Sequence, residues 1–474
     1  MLRLSCPEGG ALASMAGVKR ALPFLIFLSL ACATRLPILH YAVLDWDESL
    51  YFIMAQQWHA GHLPYTTVWD NKPLGIYVIF AAFQALIPGV AAMRVATALC
   101  VALLAAAVFR ITGIITRERQ AGWIAGGLLV ICSLSNDGLS ANTELFMAAG
   151  TTLAVLAVLT EAPAWAAGLA LGCGFMIKYV MVPEAFFVLL LLYHRRGGKD
   201  VAIAVAAAAL PVLAAAGLYA ATGHLALWWD CSVLSNFRRA GAKFHPGALG
   251  AALSTQFWRW GPLYLTAFIL AFGVRRRGLA SNFPLLWLLG ALLGAASAKS
   301  FYDHYFLQAL PALCVLAGIG FARLPTGGAV RDVFCAFLAS LPLHAGWQAL
   351  RYATGPDLPA EIAATLTAAH AQSLYIFDSE PIIYPLTGLP APTRFVLPSE
   401  LMGLTLPQVA GVNPVAEVAR ILGTKPQYIV RRAPPPGPDV GNPQVYAVLD
   451  AALAAHYALV WSWPGAGVYK REPE

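Results

Sequence analysis

Runs of apolar residues recur from Ala21 to Leu350, and they restrict the fold of this chain more than any other feature. A helix needs about 20 predominantly apolar residues to cross the hydrocarbon core of a bilayer. The 474 residues are 59% hydrophobic and 12% charged, whereas a soluble domain carries about 25% charged residues. The sequence therefore predicts a polytopic α-helical membrane protein and excludes the soluble fold classes.

Short basic clusters between the apolar runs predict how the chain is threaded through the membrane. Cytoplasmic loops carry an excess of Lys and Arg, and Lys19-Arg20 directly precede the first run. We therefore expect residues 1–20 to be a cytoplasmic leader and residues 40–92 to form the first external loop. This topology explains the formal net charge of +7, so no nucleic-acid partner is expected.

The alternation of charge along the chain predicts about eleven transmembrane helices within residues 21–351. The apolar run at 73–89 is just long enough to cross, but a crossing there would place Arg110, Arg117 and Arg119 outside. That placement contradicts the positive-inside rule. We therefore expect residues 73–89 to lie along the outer surface as a juxtamembrane helix, with the N-terminus in the cytoplasm and the C-terminus outside.

Short alternating elements replace the long apolar runs after Arg351. Helices are predicted at 361–370, 415–422 and 445–456, and strands at 373–377, 394–397, 427–430 and 458–461. This pattern predicts that residues 352–474 form a small α/β domain of about 120 residues, near the usual domain size. Because the C-terminus is expected outside, this domain is predicted to be extracytoplasmic, or periplasmic.

Asp47 stands in an island of acidic and aromatic residues, Asp45-Trp46-Asp47-Glu48-Ser49-Leu50-Tyr51, directly after the first predicted helix. Ionisable residues at membrane depth are costly and are usually functional. Burial beside aromatic rings and a neighbouring carboxylate would raise the pKa of Asp47 and make it a useful proton acceptor. The other interpretation is a loop acid that caps the helix starting near Ser49.

Several polar residues fall on the same predicted outer face, and each has two interpretations. Lys72 either binds a phosphate as a point charge or extends to the membrane interface. Glu144 is either a site acid or a helix N-terminal acid favoured by the macrodipole. Lys178 is an interfacial anchor or another phosphate contact. Substrate positioning is one interpretation of Tyr302, Asp303, His304 and Tyr305, whereas an interfacial aromatic belt explains the two tyrosines but explains the aspartate and the histidine less well.

Five motifs occur in order along the chain. They are Asp47-Glu48-x-x-Tyr51, Asp70-Asn71-Lys72-Pro73, Ala141-Asn142-Thr143-Glu144, Gly172-x-Gly174-Phe175-x-x-Lys178, and Phe301-Tyr302-Asp303-His304-Tyr305-Phe306-Leu307-Gln308 with Leu310-Pro311. With these motifs, residues 21 to about 350 resemble the bacterial GT-C glycosyltransferases. These include relatives of the protein O-mannosyltransferases, of the lipid A aminoarabinose transferase and of the Rgt-type galacturonosyltransferases.

The resemblance implies transfer of a sugar from a polyprenyl-phosphate carrier to an acceptor, with inversion at the anomeric carbon. The transfer would occur on the outer face of the bacterial cytoplasmic (inner) membrane, to a lipopolysaccharide or other lipid, an exopolysaccharide or a protein. The family's acid of the first external loop falls on Asp47, the lysine of its Asp-Lys-Pro motif on Lys72, and its second external acid on Glu144. This chain has Asp-Asn-Lys-Pro-Leu at 70–74, where many relatives have Asp-Lys-Pro-Pro.

The chemistry of such a transfer suggests roles for the remaining candidates. A base must deprotonate the acceptor hydroxyl, cations must stabilise the departing phosphate, and a groove must admit the prenyl chain from the membrane lipid. We expect Asp47 to be the base, with Glu48 or Glu144 orienting the acceptor. The candidates for phosphate and substrate binding are Lys72, Asp70, Tyr51, Lys178, Arg238, Arg239, Tyr302 and His304.

No cofactor is predicted, although an Asp-Glu site can admit a divalent ion. Two other functions compete with the transferase. A transporter or flippase of lipid-linked sugars would use the same charges, but transporters often show internal repeats and sites near the midplane, whereas here the charges gather at one interface. A membrane scaffold whose outer domain binds a partner would explain the C-terminal domain but not the acidic first loop.

Overall fold

The computed structural model describes residues 8–240, 246–272, 279–297, 299–325, 328–433 and 441–473. Residues 1–7 of the predicted leader lie outside these ranges. The described part of the chain is mainly helical, with a four-stranded sheet near the C-terminus. This architecture confirms the predicted combination of a helical membrane region and a small α/β region.

Helices α1 to α16 make up the described part of the chain as far as Ala353. Their bounds are α1 Glu8–Arg35, α2 Trp46–His59, α3 Gly75–Leu86, α4 Ala91–Thr116, α5 Arg119–Cys132, α6 Thr143–Leu159, α7 Ala164–Phe175, α8 Val182–Arg196, α9 Gly198–Ala221, α10 Leu225–Trp228, α11 Ser235–Ala240, α12 Pro246–Phe272, α13 Leu279–Ser297, α14 Leu310–Arg323, α15 Ala329–Leu338 and α16 Ser340–Ala353. Between them lie 3-10 helices at Leu36–Ile38, Tyr179–Met181 and Asp303–Ala309, and a π-helical turn at Trp229–Leu234.

Several of these helices have the length and composition of membrane spans. Within the described ranges, five segments are long and apolar enough to cross a bilayer: Ala21–Ile38, Ala91–Thr116, Gly198–Ala221, Asp303–Arg323 and Ala329–Arg351. Further apolar helices are shorter and would need local thinning of the bilayer to cross, so the count of eleven spans stays a prediction. The chain is a multi-pass membrane protein.

Helix α3 has 12 residues, which makes it about 18 Å long. The hydrocarbon core of a bilayer is about 30 Å thick, so α3 is too short to cross it alone. This length agrees with the juxtamembrane helix predicted at 73–89. The helix begins two residues after Pro73, and it therefore carries the Asp70–Lys72 motif at its N-terminal end.

Glycines bring α7 and α9 into backbone contact. A side chain at Gly168 would collide with the backbone of Ala204, and one at Gly172 with the backbone of Ala208. Small residues spaced four apart allow such close approach of membrane helices. The packing fixes the position of α7, whose C-terminal end leads directly to Lys178.

The C-terminal α/β region follows α16. Its helices are α17 Leu358–Ala368, α18 Ile383–Thr387, α19 Ser399–Met402, α20 Leu406–Ala410, α21 Pro414–Gly423 and α22 Pro443–His456, and its strands are β1 Leu374–Ile376, β2 Tyr428–Arg431, β3 Tyr457–Trp463 and β4 Ala466–Arg471. The strand order is β1-β2-β4-β3, with β1 and β2 parallel and the other pairs antiparallel. Apolar residues of α21, α22 and the sheet, among them Val418, Leu449 and Ile429, form a core.

This region differs from the sequence prediction in one predicted strand and in four elements that were not predicted, which are β4 and the short helices α18, α19 and α20. Residues 394–397 are not a strand: their backbone is irregular, and the Arg394 carbonyl accepts a hydrogen bond from Trp69 N, in the loop between α2 and α3, over 2.9 Å. Strand β4 was missed. It pairs with β3 as a hairpin that closes at Trp463 and Ala466, and its small and charged residues give too little apolar alternation to mark a strand.

Candidate active site

Asp45 caps the N-terminus of α2 and thereby orients Asp47. Its backbone is extended, and its Oδ1 accepts a hydrogen bond from Asp47 N over 2.9 Å. Such a cap satisfies one of the free amide groups at the start of a helix. The capping role considered for Asp47 therefore belongs to Asp45, and the Asp47 carboxylate is left to interact with other side chains.

Lys72 lies between two carboxylates. Its Nζ is 3.3 Å from Asp47 Oδ1 and 3.5 Å from Asp70 Oδ2. Tyr51 donates a hydrogen bond of 3.2 Å to Asp47, and Tyr77 donates one of 2.6 Å to Asp70. The side chain of Lys72 is 10% exposed and that of Asp47 is 20% exposed. Lys72 is therefore held by two carboxylates, and these contacts fit a site residue better than a side chain that extends to the membrane interface.

The charges of this cluster reverse the predicted direction of the Asp47 pKa. Burial alone would raise it, but the charges of Lys72, His304 and Lys178 outweigh burial and lower the pKa of Asp47 to about 2. Burial and the Asp47 charge raise the pKa of Asp45 to about 6. The pKa of Lys72 is raised, because Asp47 and Asp70 outweigh the effect of burial. The expectation of a raised Asp47 pKa is wrong, since the sequence did not show that Lys72 faces it.

Glu48 does not contact the cluster of Asp47, Asp70 and Lys72 and has other partners. Its side chain is fully buried and pairs with Arg94. Its carboxylate also accepts hydrogen bonds of 2.9 Å from Leu44 N and from Ala141 N. Because these groups surround the carboxylate, Glu48 ties α2 to α4 and to the start of α6. The expectation that Glu48 orients an acceptor is not supported by this geometry, and a structural role fits it better.

Glu144 and Lys178 form a second acid–lysine pair. Glu144 is in the first turn of α6, where the helix dipole favours an acid, and it is ion-paired with Lys178. Thr143 donates a hydrogen bond of 3.1 Å to the same carboxylate. The side chain of Lys178 is 13% exposed, and that of Glu144 is 1% exposed. The lysine is thus the member of the pair that a ligand can reach.

The backbone holds the two acid–lysine pairs close together. Gly75 N donates a hydrogen bond of 2.6 Å to Met176 O. A side chain at Gly75 would collide with the Met176 carbonyl, so the glycine is required for this approach. Lys72 lies three residues before Gly75, and Lys178 lies two residues after Met176. The structure therefore brings Asp47, Lys72, Glu144 and Lys178 to the same end of the helical region.

Tyr305 connects these pairs to Arg239. Arg239 Nη2 donates a hydrogen bond of 2.9 Å to the Tyr305 hydroxyl, and Lys178 Nζ lies 4.3 Å from the centre of the Tyr305 ring. Arg239 also interacts electrostatically with Asp47 and Asp70. The sequence predicts that Tyr305 positions a substrate or belongs to an interfacial aromatic belt, but it does not show the position of Tyr305 between two cations, which depends on the fold.

His304 and Tyr302 flank Tyr305. The His304 ring stacks against the Tyr302 ring with a centroid distance of 5.7 Å, and it meets the Tyr305 ring edge-on at 4.8 Å. His304 Nδ1 is 3.9 Å from Asp137 Oδ2. Tyr302 is 56% exposed. The two predicted substrate residues therefore line the open side of the cluster.

Arg238 turns away from the cluster. Its Nε donates a hydrogen bond of 2.9 Å to Val409 O in α20, and its Nη1 lies 2.8 Å from Asp230 Oδ1. Arg238 and Arg239 were equal candidates in the sequence. Since adjacent residues of a helix point in different directions, only Arg239 joins the carboxylates.

An apolar groove of about 460 Å³ lies between α6 and α7. Its lining includes Phe146, Gly150, Leu153, Trp165, Leu169 and Ile177. Trp165 is 55% exposed, so the groove opens on the outside of the helical region. Phe146 and Ile177 are close in sequence to Glu144 and Lys178, so one end of the groove adjoins the second acid–lysine pair.

The carboxylates of the cluster are paired with side-chain cations. Within the described ranges, no group of three or more His, Cys, Asp and Glu side chains is arranged to hold a metal ion. Lys72 lies between Asp47 and Asp70 at the place where two carboxylates could share a cation. The arrangement presents Lys72, Lys178 and Arg239 as fixed positive charges beside a carboxylate, which suits binding of an anion next to a proton acceptor.

Comparison with solved structures gives the fold. The chain superimposes on the crystal structures of ArnT from Cupriavidus metallidurans bound to undecaprenyl phosphate and in the apo state, with TM-scores of 0.63 and 0.62 at 14% identity. The match covers 95% and 98% of this chain and 99% and 100% of ArnT. The apo oligosaccharyltransferase of Archaeoglobus fulgidus matches with a TM-score of 0.51 at 12% identity, over 88% of this chain and 70% of that one. No family model and no curated protein sequence matches. The chain therefore has the same fold as ArnT, in agreement with the fold that the resemblance of its motifs implied.

Proposed function

We propose that this protein is an inverting glycosyltransferase that moves a sugar from a polyprenyl-phosphate carrier to a hydroxyl of an acceptor. The observation that carries the proposal is the grouping of Asp47 with Lys72, Lys178 and Arg239 at one end of a helical membrane fold. The fold it shares with ArnT, which was crystallised with undecaprenyl phosphate, supports a carrier of this chemical class.

In the proposed reaction, the acceptor hydroxyl loses its proton to the Asp47 carboxylate as its oxygen bonds to the anomeric carbon. The bond from that carbon to the phosphate oxygen breaks, and the prenyl phosphate leaves with the bonding electrons. A positioned base accelerates such a step by roughly a hundredfold to ten-thousandfold. One displacement inverts the anomeric carbon.

The donor phosphate would compete with Asp47 for Lys72. In the free protein Lys72 is 3.3 Å from Asp47 and holds the pKa of that carboxyl at about 2, against the effect of burial. A phosphate that draws the ammonium away removes this stabilising charge, so the pKa of Asp47 rises. Binding of the donor thereby converts a weak base into a stronger one at the moment when a base is needed.

We assign the remaining predicted residues either to the donor phosphate or to the side where the acceptor enters. Lys72, Lys178 and Arg239 are the proposed phosphate ligands, and Asp70 and Tyr51 hold Lys72 and Asp47 in place. His304 and Tyr302 flank the open side, where an acceptor would enter. Glu144 orients Lys178. We assign Glu48 and Arg238 to structural contacts, because their polar groups are engaged with Arg94 and with α20.

The groove between α6 and α7 is the proposed site of the prenyl chain. It is lined by apolar side chains, it opens outward, and it ends beside the residues that precede Lys178. A chain lying in this groove would place its phosphate near Lys178 and Tyr305. Gly150 keeps the two helices close beside the groove, since a Cβ at this position would meet the Ala170 carbonyl of α7 at 2.7 Å.

The central experiment measures product. Purified protein in nanodiscs is incubated with an undecaprenyl-phosphate sugar and an extract of membrane glycolipids, and free undecaprenyl phosphate is quantified by mass spectrometry. Time-dependent release that requires both the acceptor extract and Asp47 supports the transferase. Movement of the intact carrier between leaflets without release would instead indicate the transporter.

We also propose the topology in which residues 1–20 are cytoplasmic and residues 352–474 form an extracytoplasmic domain at the bacterial inner membrane. Alkaline phosphatase is active only outside the cytoplasm. A fusion at the C-terminus should therefore be active, and a fusion after Arg196, in the basic connection from α8 to α9, should be inactive. The opposite pair of results would contradict the topology.

A further inference from the structure

Side chains from distant elements hold the loop that carries Lys72. Four backbone carbonyls of residues 64–72, here called the 64–72 loop, accept side-chain hydrogen bonds: Pro64 O from Tyr219 over 3.1 Å, Tyr65 O from Arg394 over 2.9 Å, Asn71 O from Asn236 over 2.6 Å, and Lys72 O from Tyr65 over 2.6 Å. A loop fixed at so many backbone groups keeps a single conformation. The position of Lys72 therefore depends on residues far from it in sequence.

Tyr65 has the central place in this arrangement. Its φ of +71° is in the left-handed region, which side chains other than glycine rarely adopt. Its side chain is fully buried, with its ring 5.7 Å from that of Tyr77 and 5.9 Å from that of Tyr219. Residues in such a conformation persist only where their surroundings determine it, and they are common at functional sites.

Arg394 supplies the bond that reaches Tyr65 from the C-terminal α/β region. Its guanidinium donates to Tyr65 O, and its own carbonyl accepts from Trp69 N over 2.9 Å. The ring of the next residue, Phe395, lies 6.3 Å from that of Trp69. The irregular segment that begins at Arg394 thus binds the 64–72 loop through two hydrogen bonds. These contacts explain why the segment does not pair as a strand.

We propose that Arg394 and Tyr65 are positioning residues for the donor phosphate. Arg394 holds Tyr65 in its left-handed conformation, and the Tyr65 hydroxyl holds the Lys72 backbone, so that the ammonium stays between Asp47 and Asp70. This inference rests on the proposed function, in which Lys72 binds the phosphate. It makes the C-terminal α/β region part of the donor site, although that region need not touch the donor.

We expect loss of these hydrogen bonds to change the position of the Lys72 ammonium. Loss of the Tyr65 hydroxyl removes the bond to Lys72 O, so that Asn71 O becomes the last backbone carbonyl of the loop held by a side chain. Misplacement of a catalytic group by about 1 Å can cost roughly a hundredfold in rate, so even a small displacement of the ammonium weakens phosphate binding.

The test compares Tyr65→Phe and Arg394→Met with two matched controls. In Tyr457→Phe, the lost hydroxyl donates to Pro426 O over 2.9 Å, and in Arg420→Met the lost guanidinium donates to Pro392 O over 2.9 Å. Binding of undecaprenyl phosphate to protein in nanodiscs is the readout. We expect Kd to rise at least fivefold in the two positioning variants and to stay within twofold in the controls.

A double variant separates positioning from general loss of packing. If Tyr65 acts through Lys72, Tyr65→Phe should change Kd less than twofold in a Lys72→Met background. Multiplicative effects of the two substitutions would overturn the inference. Where Arg394→Met protein does not fold, Arg394→Lys, which keeps a cation with a different reach, replaces it.

A second readout does not depend on the donor. Reductive methylation of Lys72, followed by mass spectrometry of its peptide, should be at least threefold faster in Tyr65→Phe and Arg394→Met than in the wild-type protein or the controls. Unchanged labelling would overturn the positioning role. Wild-type protein that binds no undecaprenyl phosphate would instead overturn the proposed function, and the labelling rates would still decide whether Tyr65 positions Lys72.

Discussion

Arg239 donates a hydrogen bond of 2.9 Å to the hydroxyl of Tyr305, and this contact joins two parts of the chain that the sequence separates by 66 residues. Lys178 lies over the ring of the same tyrosine at 4.3 Å. Tyr305 therefore lies between Arg239 and Lys178 and holds both cations near the carboxylate of Asp47. We propose that a phosphate entering this space is bound by both cations and by Lys72.

Asp47→Asn should abolish sugar transfer while leaving the fold intact. The amide keeps an acceptor for the hydrogen bond from Tyr51, and Lys72 keeps its contact with Asp70, but an amide cannot take the acceptor proton. We expect the rate of undecaprenyl phosphate release to fall at least a hundredfold, with the melting temperature changed by a few degrees at most. Asp230→Asn, which removes an exposed acid paired with Arg238, is the matched control and should stay active. An active Asp47→Asn enzyme would remove the assignment of the base.

Lys178→Met should destabilise the protein because it leaves Glu144 buried without its cation. Breaking one partner of a buried pair costs about 3–5 kcal/mol, whereas replacing both partners is often nearly neutral. The double variant Glu144→Gln/Lys178→Met should therefore recover most of the lost melting temperature. Transfer should stay low in both, since each lacks the Lys178 charge. Thermal unfolding and transfer assays on the same preparations measure the two effects, and a double variant as unstable as the single one would contradict the pairing.

Asp45→Asn should stabilise the protein above pH 6. The pKa of Asp45 is about 6 in the folded protein against an ordinary value of 3.8, because of burial and the Asp47 charge. A raised acid pKa means that the folded state binds the proton more tightly, so this contribution to stability is complete below pH 3.8 and is lost as pH rises through about 6. Asparagine keeps the cap on Asp47 N without a charge. We expect a gain on the order of 1 kcal/mol at pH 7.5 and a smaller one at pH 4.5, measured by thermal unfolding. Equal gains at both pH values would contradict the shift.

Transfer should continue in the presence of EDTA. Lys72, Lys178 and Arg239 together supply three positive charges around the proposed phosphate position, and side-chain cations can stabilise a departing phosphate directly. Release of undecaprenyl phosphate is measured before and after dialysis against EDTA, with added Mg²⁺ or Mn²⁺ as the control for recovery. Loss of activity that either ion restores would show that the carboxylates bind a divalent cation.

The sequence predicted best those features that have a single physical cause, such as an apolar run that must form a membrane helix. Apolar runs identified the helices. Asp47, Lys72, Glu144 and Lys178 gather at one end of the helical region, as their common face in the sequence predicted, and the outer side of the membrane as the location of this end stays a prediction. The sequence could not show which acid pairs with which cation, because Lys72 meets Asp47 across 25 residues and Glu48 meets Arg94 across 46. The direction of the Asp47 pKa depended on that pairing. The segment at 394–397 has strand-forming residues, but its contacts with Trp69 and Tyr65 override this local preference.

Arg238 and Arg239 provide the sharpest comparison, because they are neighbours in the same short helix with the same side chain. Arg239 contacts Tyr305 and faces the carboxylate cluster, whereas Arg238 binds Val409 O and Asp230. Arg239→Met removes a proposed phosphate ligand. We expect kcat/KM for the undecaprenyl-phosphate sugar to fall at least tenfold, since a hydrogen bond to a charged group is worth about 1.5–3 kcal/mol. Arg238→Met removes an exposed ion pair worth about 1 kcal/mol or less, and kcat/KM should change less than threefold. Equal loss of activity in the two variants would show that Arg239 does not bind the phosphate. The proposed phosphate ligands would then be Lys72 and Lys178 alone.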